Sequence, residues 1–454
     1  MSRFMEDHLA VEPSDRTDPP TPPWDVIVLG AGAAGLCAAI RGAEAGARVL
    51  LLEKNRRPGV KILISGGTRC NLTNARGLRN LRVVSGPVDP AYDPREARGA
   101  RSIQDAFGDG GAFLGPALRA FSVERTVELF EAEGVATKVE ANGKIFPVSD
   151  RAVDVLDALV RRLGRSGAVL RVSSPVQALD PIAEGFRVTT PDGVETARRV
   201  ILAVGGQSYP GCGTSGDGYA IARALGHTIV EPRPDLVPIR VVPRWVAALR
   251  GMTLPDVSLS VLDGTGRVLS QRREALLFAH FGLTGPAVLD VSRAVARPEN
   301  GGALRLAVDL FPEASAEHIE RRVLEDSRTG RRSVTQLLPE ALPRRLREAI
   351  VETAGIPPSR CGPELSREER KRLVQAVKAL TLPIEGTLGF EKAEVTSGGV
   401  LLDEVNPKSL ESTLQPGLHF AGEVLDLDGR IGGYNFQGAW STGWLAGESA
   451  ALVS

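Results

Sequence analysis

The first part of the chain combines apolar runs with a helical repeat. Positions 26–29 are all apolar, which predicts a strand buried on both faces. Apolar residues then recur at helical spacing between Leu36 and Ala43, and Gly46 predicts the end of that helix. A second strand is predicted at 48–52, where four apolar residues follow Arg48. This order predicts a βαβ unit, in which a helix joins two parallel strands.

The pattern changes twice between positions 236 and 383. Short apolar runs first alternate with glycine-rich turns, as in "VSLSVLDGTGRVLS", and a charged helical region with a capping box at Ser366 and Glu369 follows. We therefore predict an α/β fold: a Rossmann-like domain, with a parallel sheet and a β-meander layer, interrupted by a β-rich and helical insert. The predicted segments are a disordered tail at 1–23, the first domain at 24–235 and 384–454, a β-rich insert at 236–312 and a helical insert at 313–383.

Composition narrows the classes of partner. The 454 residues carry 55 basic and 55 acidic side chains, so the formal net charge is zero. A neutral chain gives no general electrostatic reason to expect a nucleic acid or an anionic membrane as partner. No apolar run approaches the roughly 20 residues of a membrane span, and the tail lacks the apolar centre of a signal peptide. We expect a cytoplasmic protein; its oligomeric state is not predicted.

Neither the cysteines nor the histidines are spaced like metal ligands. The cysteines lie far apart without a CxxC pair, which argues against a disulfide framework, a zinc cluster and disulfide-exchange chemistry. Most of the histidines are equally isolated, so we predict no metal site. These residues are Cys37, Cys70, Cys212 and Cys361, and His8, His227, His318 and His419.

Three glycines follow the first predicted strand in GxGxxG spacing. Gly30 would make the tight turn, Gly32 would leave room for a pyrophosphate, and Gly35 would let the helix pack on the strand. The phosphates would lie at the positive N-terminus of the helix. Glu53 follows the second strand, where an acid accepts hydrogen bonds from a ribose with a free 2′-hydroxyl. The fingerprint therefore predicts FAD or NAD, not NADP.

Further glycine-rich motifs follow. "KILISGGTRCNLTN" at 61–74 has no obvious use in a nicotinamide enzyme. "ILAVGGQSYPGCGTSGDGYAIARALG" at 201–226 predicts a strand that returns beneath a nucleotide, and "HFAGEVLDLDG" at 419–429 repeats the strand-then-glycine pattern. In "DGRIGGYNFQGAWSTGWLAG", at 428–447, two glycines precede a predicted helix, which indicates a close approach to the backbone.

Together these motifs resemble the BaiN-like or aminoacetone-oxidase-like family of NAD(P)/FAD-dependent oxidoreductases, which are two-dinucleotide-binding-domain flavoproteins. The resemblance includes "LLFAHFGLTGPAVLDVS" and "VTSGGV" and extends over 25–447. The family usually reads GGGRCN where this chain reads GGTRCN, and has a bulky residue in place of Gly438. Thr68 and Gly438 are therefore expected to alter the flavin pocket.

The resemblance implies non-covalent FAD, with the last helix directed at the flavin ring. Gly432 and Gly433 would let the backbone approach the flavin edge, and Asn435 and Gln437 would hydrogen-bond its pyrimidine ring. The helix N-terminus would stabilise negative charge on the reduced ring. The expected cofactor-binding residues are Gly30, Gly32, Ala33, Gly35, Glu53, Lys54, Lys61, Ser65, Gly66, Gly67, Arg69, Cys70, Asn71, Val176, Ala203, Gly205, Gly206, Gly422, Glu423, Asp426, Gly432, Gly433, Asn435 and Gln437.

Four other residues have both a chemical and a structural interpretation. His280, in "FAHFGLTGP", is the expected catalytic acid or base, or else a hydrogen-bonded turn histidine. Cys70 is a reactive thiol or packs beside the flavin. Tyr209 and Arg430 contact substrate or belong to an ordinary polar surface.

Two function classes follow. The first is an FAD enzyme that exchanges a hydride with a small organic substrate, either in NAD(P)H-dependent reduction of an unsaturated compound or in oxidation of a small amine by oxygen. The second is a flavoprotein that serves as a binding or redox-partner module. The other GxGxxG spacing, GCGTSG at 211–216, does not directly follow a predicted strand, so it does not predict a second dinucleotide site. NAD(P)H would therefore have to bind transiently at the flavin face.

Overall fold

The computed structural model describes residues 23–297, 302–328, 332–357 and 359–452. The predicted tail lies outside these residues except for position 23. The predicted βαβ unit is confirmed: strand β1 is Trp24–Leu29, helix α1 is Ala33–Glu44 and strand β2 is Val49–Leu52. Gly46 takes a φ of 97° directly after the helix, a left-handed conformation that glycine adopts without steric cost.

The rest of the first part of the chain alternates helices with short strands. The elements are α2 Val60–Thr68, β3 Thr73–Asn74, α3 Ala100–Ala106, α4 Gly115–Ala120, α5 Val123–Ala132, β4 Thr137–Val139, β5 Lys144–Pro147, α6 Ala152–Ser166, β6 Val169–Arg171, β7 Ala178–Ile182, β8 Gly185–Thr190, β9 Gly193–Leu202, α7 Asp217–Ala224 and β10 Ile229–Asp235.

The insert is a closed barrel with a helical excursion. Its elements are β11 Ile239–Val241, α8 Trp245–Ala248, β12 Thr253–Leu262, β13 Val268–Ala279, β14 Gly282–Thr284, α9 Pro286–Ala296, β15 Arg305–Asp309, α10 Ala316–Arg328, α11 Val334–Leu337, α12 Arg344–Thr353, α13 Arg367–Lys378 and β16 Leu380–Thr387. The barrel order is β11-β14-β13-β12-β15-β16, so α10 to α13 all lie between two adjacent strands. The predicted capping box opens α13: Glu369 N donates to Ser366 Oγ, and Ser366 N donates to a carboxylate oxygen of Glu369.

The last part of the chain returns to the first sheet. It contains β17 Val395–Val400, β18 Leu418–Phe420 and α14 Tyr434–Ala451. β18 pairs in parallel with β9, and β17 pairs antiparallel with β10, so the chain leaves for the barrel and comes back through one two-stranded ribbon. α14 lies directly on α1, because a Cβ at Gly443 or Gly447 would be only 2.2 Å from the carbonyl oxygen of Ala34 or Ala38.

The main sheet has the order β6-β2-β1-β9-β8-β7, with β18 on the inner half of β9. The strands β6, β2, β1, β9 and β18 are parallel, whereas β7 and β8 pair antiparallel with the outer half of β9. The predicted meander is therefore an extension of the parallel sheet. Separate hydrophobic cores form under this sheet and inside the barrel. The predicted fold class is confirmed.

Candidate active site

Four parallel strands end at the same edge of the main sheet, and the predicted cofactor residues follow them. The turn after β1 meets the end of β9, because a Cβ at Gly30 would lie 2.7 Å from the carbonyl oxygen of Ala203. After β18, Gly422 takes a φ of 74°, and its Cβ would lie 2.8 Å from Ala34. Ligands of open α/β sheets bind at such an edge, outside the carboxyl ends of the strands.

The three fingerprint glycines have different surroundings, and these fit a bound pyrophosphate. Gly30 has a φ of 95°, and a Cβ at Gly35 would lie 1.8 Å from the Gly30 carbonyl oxygen. No atom of the described residues lies within 4 Å of a Cβ placed at Gly32. Gly32 and its successor Ala33 begin α1, whose first turn has neither a side-chain cap nor an acidic residue. The first N–H groups of α1 therefore lack a side-chain cap and lie next to open space at Gly32, which suits an FAD pyrophosphate.

Glu53 is held at the end of β2 by the backbone around it. Its carboxylate accepts hydrogen bonds of 2.8 Å from Ala31 N and Asn55 N, and only 7% of the residue is exposed. The Glu53 carbonyl accepts a bond from Ser174 N, which brings the 173–176 segment with Val176 alongside. Since each carboxylate oxygen accepts two hydrogen bonds, Glu53 keeps capacity for a ribose hydroxyl.

A polar cluster joins Lys61 to Glu423. Lys61 Nζ lies 2.7 Å from Glu423 Oε2 and 2.7 Å from Ser208 Oγ, and Ser208 donates to Glu423 Oε1 over 2.8 Å. Thr396 N also donates to Glu423, and Thr396 packs against Gly206 beside the left-handed Gly205. Residues of α2, β17 and the loops after β9 and β18 thus meet at one point.

The turn at the end of α2 is backbone-strained. Gly66, Gly67 and Thr68 all have positive φ angles, of 55°, 68° and 68°, after the extended residue Ser65. Glycine adopts this conformation freely, but a β-branched residue does not. Cys70 is completely buried, and burial raises the pKa of its thiol to about 12. A thiol that stays protonated is not nucleophilic, so the structure favours packing for Cys70.

The glycine pair before α14 approaches another strand. Gly433 has a φ of 88°, and its Cβ would lie 2.5 Å from the Thr73 carbonyl oxygen of β3. The Asn71 amide, oriented with its oxygen toward Gly433 N (2.9 Å), joins the same contact. Gly432 lies beside Asn74, whose amide donates to its carbonyl over 3.0 Å. This glycine pair is therefore required by backbone packing within the protein.

Two of the predicted flavin ligands, Asn435 and Gln437, form hydrogen bonds within the protein. The Asn435 amide donates to and accepts from the backbone of Gly429, at 2.7 Å in both directions, and so closes the preceding loop. Gln437 is fully buried, with its oxygen accepting from Thr73 and Thr126 and its nitrogen donating to Ser441. Both amides are thus engaged within the protein, and a contact of either with a flavin stays a prediction.

Other predicted ligands also have partners within the protein. Lys54 pairs with Asp217, Arg69 pairs with Glu140 over 2.6 Å and lies on the Phe146 ring, and Asp426 accepts from Gly398 N over 3.0 Å. At Gly438, where the family has a bulky residue, a Cβ would lie 2.9 Å from the Phe107 ring. Phe107 therefore occupies the space that a larger residue at 438 would need.

His280 lies apart from these contacts. It is an exposed residue in the turn between β13 and β14, and its ring packs edge-on against Phe281. A role for His280 stays a prediction.

Sequence analysis missed the charged groups where the barrel meets the first domain. Asp290 on α9 accepts from Ile431 N over 2.8 Å and from Arg272 Nε over 3.0 Å, which fixes the "DGRIGGYN" loop to the barrel. Burial raises the pKa of Asp290 despite these bonds. Two quoted motifs marked this neighbourhood without assigning these acids a role: Asp290 lies in "LLFAHFGLTGPAVLDVS", and Glu394 directly precedes "VTSGGV".

Glu394 faces both domains. Its surroundings raise the pKa of its carboxyl by desolvation, opposed by Lys61 and Lys144 and reinforced by Asp290. Its backbone carbonyl accepts from Ser208 of the Lys61 cluster, and its N–H donates to Leu236. The Glu394 side chain is nevertheless exposed to solvent, and an accessible carboxyl group with a raised pKa is typical of a proton donor.

No described helix has the length and apolar character needed to cross a membrane, and no metal-like cluster of histidine, cysteine and acidic residues occurs in this part of the chain.

Comparison with known proteins confirms the resemblance. The family model described as "HI0933-like protein Rossmann domain" matches residues 24–85 and 97–449. The chain is 33% identical to a 3-dehydro-bile acid delta(4,6)-reductase of Clostridium scindens, covering 93% of this chain and 98% of the relative. It is 32% identical to a ribosomal RNA dihydrouridine synthase of Escherichia coli, covering 94% and 97%. The solved 3-ketosteroid-delta4-(5alpha)-dehydrogenase of Rhodococcus jostii shares the fold, with a TM-score of 0.51 at 18% identity over 95% of this chain and 97% of that one.

Proposed function

The chain belongs to the HI0933-like family of FAD-dependent oxidoreductases, and we propose that it reduces a carbon–carbon double bond conjugated to a carbonyl group in a small organic substrate. The chemistry shared by two full-length relatives carries this proposal. A delta(4,6)-reductase acts on ring double bonds of a 3-oxo compound, and dihydrouridine is uridine with its ring double bond reduced. Both reactions add a hydride and a proton across an electron-poor double bond.

FAD bound at this edge of the main sheet would supply the hydride-transfer chemistry. The sheet-edge glycines and the N-terminus of α1 would hold its phosphates, Glu53 its ribose, and the Lys61–Glu423 cluster the part nearer the barrel. The N-terminus of α14, which has no acidic residue in its first turn, favours negative charge on whatever lies before Tyr434.

The test of this cofactor assignment is Gly32→Val. Because nothing in the described protein lies within 4 Å of a Cβ there, the variant should fold normally and lose FAD. Gly164→Val on α6 is the matched control, since it also points into open space but lies away from the site. Flavin absorbance and circular dichroism of both variants are the measurements. A Gly32→Val protein that retains stoichiometric FAD would refute the assignment.

The reaction also needs a proton donor, and Glu394 and His280 are the two candidates. Glu394 is favoured by its raised pKa, which keeps the proton on the carboxyl nearer to neutral pH, and by its position between Lys61 and Asp290. If Glu394 is the donor, Glu394→Gln should lower turnover by about 10²-fold or more with FAD content unchanged. Exposed Glu391→Gln is the matched control. If only His280→Ala has this effect, the donor is His280.

Anaerobic stopped-flow experiments separate the possible reactions. We expect NADH or NADPH to reduce the flavin and an enone to reoxidise it. A second candidate function, reduction of a uridine in ribosomal RNA, is favoured by the names of two relatives and predicts reoxidation by an rRNA fragment but not by a free enone. Reduction by small amines with reoxidation only by oxygen would indicate an amine oxidase and contradict both.

A further inference from the structure

A cavity of about 290 Å³ opens beside the first residue of α14. Its wall is built mainly from the 75–111 segment, together with Arg430 and Tyr434 of the C-terminal segment. The charged side chains of this wall, which we name the arginine pocket, are Arg76, Arg95, Arg98, Arg430, Glu96 and Asp105. The pocket therefore has more guanidinium groups than carboxylates.

Most of these charges are already paired. Arg76 pairs with Glu96, Arg98 with Asp105, and Arg95 with Asp93 outside the wall. Arg430 differs: among the described residues no carboxylate lies within ion-pair distance of its guanidinium. Desolvation and the nearby Arg272 guanidinium lower the pKa of Arg430, although the more distant Asp290 and Asp105 carboxylates oppose this shift.

The backbone holds Arg430 in a defined place. Arg430 N donates to the Ala106 carbonyl over 3.1 Å, the Asn435 amide binds the adjoining Gly429, and Asp290 binds Ile431 N. Two residues further on, the glycine pair leads into α14. These bonds fix the backbone at Arg430, and its exposed side chain lines the pocket beside Tyr434 at the start of α14.

We propose that the arginine pocket binds an oxyanion, a carboxylate or a phosphate, carried by the small substrate, with Arg430 as its main ligand. A guanidinium presents two parallel N–H donors to such a group, and a cation without a protein partner gains most from one. The small volume and the two acids of the wall favour the end of a compact molecule over an extended polyanion. This proposal deepens the proposed function by naming a feature of the substrate, and it rests on that function.

The test compares an enone that carries a carboxylate with its neutral amide, using FAD-loaded protein. We expect kcat/KM for the acid to exceed that for the amide by about tenfold, and Arg430→Gln to remove this preference by slowing only the acid. Arg345→Gln, an exposed arginine on α12, changes the net charge equally and should have no effect. Equal rates for acid and amide in the unmodified protein would overturn the proposal.

A second measurement stands apart from turnover. Benzoate and inorganic phosphate, added at constant ionic strength, should raise the Tm of the unmodified protein and of Arg345→Gln but not of Arg430→Gln. If these Tm shifts are measured while no enone is reduced, anion binding in the arginine pocket is supported and the proposed reaction is wrong. If Arg430→Gln does not retain FAD, Arg98→Gln on the same wall takes its place in the test. This variant should show smaller Tm increases with benzoate and with phosphate than the unmodified protein. Binding of an rRNA fragment without either small anion would refute the inference.

Discussion

The substitution Gln437→Leu tests whether Gln437 is a flavin ligand or a buried core residue. The side-chain amide lies 2.7 Å from Thr73 Oγ1, 3.0 Å from Thr126 Oγ1 and 2.9 Å from Ser441 Oγ, with no exposed surface. Leucine has a similar volume but can replace none of these bonds. The substitution should therefore act on stability and not on the flavin.

The expected loss of stability depends on which hydrogen bonds the former partners of Gln437 can still form. The Thr126 hydroxyl can turn to the Ser122 carbonyl 3.2 Å away, and Ser441 keeps its 2.7 Å bond to Phe121 O. The Thr73 hydroxyl has no other side-chain partner among the described residues. One unsatisfied buried hydroxyl costs about 1–3 kcal/mol, and the lost bonds add roughly 1 kcal/mol. We expect the free energy of unfolding to fall by about 2–4 kcal/mol.

The assay is thermal unfolding at saturating FAD, with the flavin spectrum and reduction potential recorded on the same samples. A loss of this size lowers Tm by on the order of 10 °C for a domain of this size. Gln271→Leu, an exposed position on β13, is the matched control and should change stability by less than about 0.5 kcal/mol. A Gln437→Leu protein with normal Tm but an altered potential would show that Gln437 contacts the flavin and that the hydrogen-bond argument is wrong.

Thr68→Gly should raise the free energy of unfolding in urea by up to about 1 kcal/mol, because relief of the strained φ of 68° exceeds the entropy that glycine adds to the unfolded chain. The same change at Thr381 in β16 should be destabilising, and a loss at both would contradict the argument. Burial lowers the pKa of His419 from 6.5 to about 4, so its contribution is complete above pH 6.5 and decreases by up to about 3 kcal/mol as the pH falls to 4. His419→Phe should flatten this part of the urea-measured pH profile, and an unchanged slope would disprove the assignment. Cys70 should resist iodoacetamide at pH 8 in native protein while the more exposed Cys361 reacts, as peptide mass spectrometry would show; rapid labelling of Cys70 would contradict its burial.

The sequence alone determined the βαβ unit and its fingerprint. The fingerprint needs a tight turn, an open helix terminus and a close helix–strand contact, each at a fixed position. Gly30, Gly32 and Gly35 meet these three requirements in that order. These requirements are local, since the residues that impose them lie within one strand, one turn and one helix. The family resemblance and the fold class could be predicted for the same reason, because long motifs appear in order along the chain.

Only the tertiary structure decided what the polar side chains near the C-terminus do. Gln437 and Gly433 are separated by more than 300 residues from Thr73, which binds one and packs against the other. Likewise, Lys61 and Asp290 belong to different segments, and both influence the Glu394 carboxyl only when the barrel folds back on the first domain. An amide or a carboxylate looks the same in the sequence whether it binds a ligand or a distant strand. Its role depends on which group packing brings within hydrogen-bond distance, and no local spacing records that.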